Sequence, residues 1–163
     1  MVAYSFQKRF VAHVQAGLGP GPWCPGMKRH TLRAPRLGRQ GHARPEQPVH
    51  LYTAMRTKHC RLLGKAVARV QIPVRLVWTG ATLMLFRRAG AAPRSYVAQQ
   101  APLVRELLVG QPGACLEGEA MEAFARTDGF ADLNEMITFF EPPAEGESHF
   151  DMVLIGWASE GPF

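Results

Sequence analysis

Apolar residues are packed most densely in CRLLGKAVARVQIPVRLVW (60–78), a run rich in β-branched and aliphatic side chains. Gly64 and Pro73 interrupt it, so the pattern predicts two or three strands. VHLYT (49–53) alternates with the period of a half-buried strand, and ATLMLF (81–86) and HFDMVLIGWA (149–158) predict two more. Helical periodicity appears elsewhere. FQKRFVAHV places Phe6, Phe10, Val11 and Val14 on one face, which predicts a short helix. Residues 95–110 predict a second, with Leu103, Leu107 and Leu108 on one stripe, and 119–126 a third short one. The clearest helix is DLNEMITFF (132–140). Asp132 and Glu135 form a capping box, and Leu133, Met136, Ile137 and Phe140 keep the 3.6-residue period. Pro142 and Pro143 end it.

Loops separate these elements. GLGPGPWCPG (17–26) is too rich in glycine and proline to be anything else, and 17–25 reads as an insertion. APRLGRQGHARPEQP (34–48) is a second, basic loop, AMRTK a polar bend, and PPAEGES (142–148) a linker. No internal repeat and no domain boundary appears, so the 163 residues are expected to form one domain. Short strands with helices packed outside predict an α+β fold built on a small barrel.

Composition is that of a globular chain, with 47% apolar and 20% charged residues. No run approaches the ~18 apolar residues of a membrane span. MVAYSFQKRF lacks the apolar core of a secretory signal; its basic, acid-free character fits a mitochondrial leader less well than the first element of a cytoplasmic protein. Cys24, Cys60 and Cys115 are expected to be reduced thiols, and the six histidines include no HxH or HExxH pair. No resident cofactor or metal is expected; a divalent metal would enter only with a phosphate substrate.

Charge changes the picture. Residues 1–105 hold 18 Lys and Arg and a single acid, Glu46, whereas residues 106–163 hold one Arg and 12 acids. Such polarity predicts either a nucleic-acid surface with an acidic C-terminal third, or two segments that neutralise each other on folding. RNA or DNA is the first expected partner; no membrane contact and no protein partner is indicated.

The densest cluster is GMKRHTLR (26–33), in which Lys28, Arg29, His30 and Arg33 surround Thr31. Gly26, Lys28, Thr31 and Arg33 match G-x-K-x-x-T-x-R, the signature of the ASCH family, whose fold is a PUA-like β-barrel. FQKRF ahead of it, LYTAMRTKHCRLLG (51–64), ARTDGFADLNEM (125–136) and the closing F-x-x-V-L-I-x-W strand follow in the family's order. The middle segment is similar to the LYTGMRTKxCR stretch of a small bacterial and phage branch. The resemblance covers about residues 4–158 and implies a PUA-like small mixed barrel with flanking helices. Three departures stand out: the insertion before the signature, Ala54 in place of the branch's glycine, and Asp128 in place of the family's glutamate.

The resemblance implies a basic cleft for RNA or a nucleoside, and two chemistries. The ribonuclease of the YTGMRTK branch ranks first. Lys28, Lys58 and Arg33 would hold phosphorane charge, and Tyr52 would stack on a base or donate a proton; Arg56 and His59 lie close by. The alternative is hydrolysis of the amide of N4-acetylcytidine by Lys28, Thr31 and Asp128, with Arg29 and Arg33 lowering the lysine's proton affinity. A non-catalytic RNA-binding module is the third reading. Taken individually, Tyr52 also reads as a packed strand residue, Arg56 and Lys58 as a solvated loop, and Asp128 as the turn residue of an Asp-Gly pair. Lys28 and Thr31 fall on opposite faces of a regular strand, so a shared site requires a bend between them.

Overall fold

The computed structural model describes residues 2–36, 41–79, 82–89, 100–140 and 149–159. It is a mixed α+β arrangement of one seven-stranded sheet and four helices. In chain order these are β1 (Val2–Phe6), a 3-10 turn (Lys8–Phe10), α1 (Val11–Gly17), β2 (His30–Arg33), β3 (Pro48–Thr53) and β4 (Arg61–Thr79). They continue with β5 (Thr82–Arg87), α2 (Pro102–Val109), β6 (Cys115–Leu116), α3 (Gly118–Thr127), α4 (Leu133–Phe140) and β7 (His149–Ala158).

The expected break of 60–78 into two or three strands does not occur: β4 runs unbroken for 19 residues. Gly64 lies beside a bulge in the β3 pairing, and a side chain there would collide with Leu18 at the end of α1. The glycine therefore lets a helix approach the strand without ending it. At Pro73 the carbonyl accepts from the Arg88 backbone N–H on the β5 side (2.9 Å). Because N–H and C=O of one strand residue point to the same edge, the missing proline N–H costs the β7 ladder nothing.

β4 organises the sheet. β7 pairs antiparallel along one edge from Val67 to Val77, while β3 and then β5 pair along the other. β1 joins β3 in parallel, and β2 joins β7 antiparallel. The path β1-β3-β4-β7-β2 thus ends in two strands that do not pair with each other among the described residues, and the sheet is not closed. The seam between them is crossed instead by the Arg33 side chain, whose Nη2 donates to the Ser5 carbonyl (2.7 Å).

Other expectations shift at their ends. Phe6 belongs to β1, not to the first helix, which starts only at Val11. The helix expected over 95–110 is observed as Pro102–Val109, with proline in the first turn, where its missing N–H has no helical role; 95–99 lie outside the described residues, as do the linker 142–148 and part of the loop 34–48. α4 carries its cap: Asp132 Oδ1 accepts from the Glu135 N–H (2.8 Å), and Glu135 Oε2 accepts from the Ala131 N–H (2.6 Å). The core joins the alternating residues of β4 (Ala66, Ala68, Val70, Ile72, Val74, Leu76) to Trp157 of β7 and to Met121, Phe124 and Ala125 of α3. No helix among the described residues is long and apolar enough to cross a membrane.

The acidic third does meet the basic two thirds. Lys28 pairs with Asp128, Arg9 with Glu135 (2.9 Å), and Arg75 and Arg88 both with Asp151 (2.7 and 3.0 Å).

Candidate functional site

A cavity of about 180 Å³ lies at the unpaired seam. β1 and the turn after it contribute Ser5, Phe6 and Phe10, the signature contributes Lys28, Thr31 and Arg33, and Asp128 follows α3. Phe130, Phe139 and Phe140 complete an aromatic wall, with Phe10–Phe130 and Phe130–Phe139 edge-on at ring-centre distances of 5.2 Å each.

Lys28 is held from both sides. Its backbone N–H donates to the His13 carbonyl (2.9 Å), and α1 approaches so closely that a side chain on Gly17 would collide with the Lys28 carbonyl. Its side chain runs inward over the Phe10 ring (5.1 Å) and is 2% exposed. There Nζ donates both to Asp128 Oδ1 and to the Asp128 backbone carbonyl. The strand of the signature begins only at His30; residues 27–29 are irregular. The required bend is therefore present, and Lys28 and Thr31 line one cavity. The Thr31 hydroxyl makes no hydrogen bond among the described residues.

Asp128 owes its place to the way α3 ends. Gly129 has φ +93°, its N–H reaches the Arg126 carbonyl (3.1 Å), and the Phe130 N–H reaches that of Ala125 (3.0 Å). This is a Schellman termination with Asp128 as C-cap. The Asp-Gly turn and the functional reading thus hold together: the turn aims the carboxylate.

Burial disfavours both charges. It lowers the Lys28 pKa, with Arg33 adding to the effect and Asp128 opposing it. It raises that of Asp128, with Lys28 and Arg33 opposing. Moving one proton from nitrogen to oxygen would turn the ion pair into an amine and a carboxylic acid, and both shifts make that transfer easier. Arg33 lines the same cavity and lies over the Phe6 ring (5.0 Å). Its Nε–H is buried without a partner among the described residues, an unmet donor that costs about 1–3 kcal/mol when nothing occupies it.

The remaining sequence-expected residues lie elsewhere. Arg29 is 1% exposed and turned away: Nε donates to the Gly17 carbonyl (3.0 Å), and Nη1 and Nη2 to those of Gly21 and Gly19 (2.6 Å each). It clamps the Gly/Pro-rich loop and does not line the cavity. Tyr52 is half-buried on β3, beside His50 (6.3 Å between rings). Arg56, Lys58 and His59 are exposed on the β3–β4 loop. That loop is rooted at the cavity rim, since the Met55 N–H donates to Ser5 Oγ (3.2 Å) and Thr53 Oγ1 to the Phe6 carbonyl (3.0 Å). None of these four lines the cavity. Ala54 has φ +50°, which explains why glycine suits this position.

One buried residue was not singled out by sequence. His30 is fully buried against Phe124, with Nε2 3.4 Å from Asp128 Oδ1. Its position inside the signature was the available signal, but the sequence shows it only as one more base in a basic cluster. No group of three or more His, Cys, Asp or Glu suited to a metal ion occurs among the described residues. No protein-family model, curated protein or solved structure matches the chain.

Proposed function

We propose that this chain is an ASCH domain of PUA-like type that hydrolyses the acyl amide of a modified nucleobase, with N4-acetylcytidine as the substrate. The observation that carries this reading is the buried Lys28–Asp128 contact in one cavity with Thr31. The fold assignment is supported by β1 and β2, the two ends of the sheet path, both lining that cavity. The size also fits. About 180 Å³ is below the ~300–1,000 Å³ of sites for drug-sized ligands, so the cavity suits a single base, and its walls are aromatic.

The chemistry closes with the residues present. Proton transfer within the pair leaves Lys28 as amine and Asp128 as acid. Lys28 takes the Thr31 proton while Oγ forms a bond to the acyl carbon. The C–N bond breaks as Asp128 protonates the leaving nitrogen, releasing cytidine. Water then attacks the acyl-threonine, giving one proton to the Asp128 carboxylate, and Lys28 returns a proton to Thr31 as acetic acid leaves and ionises in solvent. The unpartnered Arg33 Nε–H is the donor proposed for the developing oxyanion.

The ribonuclease reading ranks second. It draws on Lys28 and Arg33, which line the cavity, together with Tyr52, Arg56, Lys58 and His59, which are half-buried or exposed and stand outside it. Their exposed, basic loop beside the rim favours contact with the phosphates of a strand whose base enters the cavity. The test follows deacetylation of N4-acetylcytidine by chromatography. The wild type should release cytidine, and Lys28→Ala, Thr31→Ala and Asp128→Asn should not. Cleavage of single-stranded RNA that requires Lys58, with the nucleoside untouched, would reverse the ranking.

A further inference from the structure

We infer that His30 is a positioning residue: its Nε2–H is the donor that keeps Asp128 Oδ1 oriented when Lys28 lets go of it. This rests on the amidohydrolase reading of the same cavity. The two stages above need Asp128 in two states, first as acid and then as carboxylate, and in the second the Lys28 ammonium turns to Thr31. A carboxylate losing its cation inside the protein needs another partner. The groups facing Asp128 are Lys28, His30 and, at longer range, Arg33.

Geometry selects His30 among them. Its ring starts β2, two residues from Lys28, and is packed against Phe124 of α3 at 5.2 Å and 35°. Nε2 lies 3.4 Å from the oxygen that Lys28 already holds, within reach of it but not hydrogen-bonded, and neither ring nitrogen has a hydrogen-bond partner among the described residues. A fully buried imidazole with both nitrogens unmet is costly unless one of them is used in another state of the site. Hydrogen bonds in an unliganded site are often long and tighten only with substrate bound. Burial and the Lys28 charge hold the ring neutral, so it gives Asp128 a hydrogen bond without competing for the proton in transit.

Two measurements test this without depending on turnover. Nitrogen NMR of 15N-histidine protein, with His30→Gln used for assignment, should show His30 as the neutral Nε2–H tautomer. Carbon NMR of 13C-aspartate protein should show the Asp128 carboxyl titrating at higher pH in His30→Phe, and returning towards wild type in His30→Gln, whose amide N–H occupies roughly the place of Nε2. In turnover, His30→Phe should lower kcat about tenfold or more with little change in KM, and His30→Gln should recover most of it. An Nδ1–H tautomer, or an Asp128 titration indifferent to His30→Phe, overturns the inference. If His30→Phe does not fold, the wild-type tautomer and the His30→Gln titration still decide: the tautomer must be Nε2–H and the titration near wild type. Absence of deacetylation by the wild type, with the NMR results as expected, would count against the amidohydrolase and not against the hydrogen bond.

Discussion

Lys28 and Asp128, one hundred positions apart in the chain, are joined twice, through the carboxylate and through the backbone carbonyl that ends α3. The carbonyl end of a helix attracts a cation, so the termination of α3 and the charge of Asp128 act together on one ammonium. Removing either partner leaves a buried charge unpaired. Lys28→Met or Asp128→Leu is therefore expected to cost about 3–5 kcal/mol in urea unfolding. The double variant Lys28→Met/Asp128→Leu should cost clearly less than the two singles added together, and strict additivity would contradict the coupling.

His30 should leave a mark on stability against pH. Its folded pKa lies well below the usual 6.5, because burial and the Lys28 charge oppose protonation. The unfolded chain therefore takes up a proton that the folded chain refuses. Its contribution is fully present above 6.5 and is lost as pH falls from there towards the folded value. The slope is about 1.4 kcal/mol per pH unit for one proton. His42 is shifted in the same direction by its own burial, so the comparison must be with His30→Gln, which keeps that histidine. The variant should lose one proton's worth of slope between pH 6.5 and 5 in urea midpoints.

Gly129 sets the aim of Asp128. An alanine there would take φ +93° and bring its Cβ within 3.0 Å of Phe10 Cδ1. Gly113 has the same φ but open space around it. Gly113→Ala is expected to cost about 1–2 kcal/mol, the conformational term alone. Gly129→Ala should cost more and also lower deacetylation, since the cap that carries the carboxylate must shift. Equal losses of stability and equal activity in the two variants would show that the cap does not control the site.

What the sequence made legible was mostly local. The Asp132–Glu135 cap and the last strand were readable because each is specified by neighbours within a few residues. β4 was not, since the reasons that Gly64 and Pro73 do not break it lie in Leu18 and Arg88, far away in the chain. The signature brought Lys28, Thr31 and Arg33 to one place, and the family resemblance added Asp128. The same basic cluster hid the separate fates of Arg29 and His30, which depend on burial. Arg29 is spent on the carbonyls of the inserted loop, a role invisible until that loop is folded. The open seam between β1 and β2 left no trace in hydrophobic periodicity, because pairing partners are a property of the whole sheet.

Ala54 offers a test of the middle segment. At φ +50° an alanine carries left-handed strain of about 1–2 kcal/mol, which glycine would relieve while gaining unfolded-state entropy of about 0.4–1 kcal/mol. Ala54→Gly should therefore hold or slightly raise the thermal midpoint. Ala66→Gly, at a fully buried position in β4, should lower it. A clear loss in Ala54→Gly would mean that the side chain matters there for another reason.

The central claim is that chemistry resides in the Lys28–Thr31–Asp128 cavity and strand contact in the 56–59 loop. Its most direct measurement places the wild type, Lys28→Ala and Lys58→Ala side by side on N4-acetylcytidine and on a labelled single-stranded RNA. Release of cytidine by the wild type and by Lys58→Ala, its loss in Lys28→Ala, and weaker RNA binding in Lys58→Ala alone are the expected results. RNA cleavage abolished by Lys58→Ala, with N4-acetylcytidine unchanged by all three proteins, would contradict it.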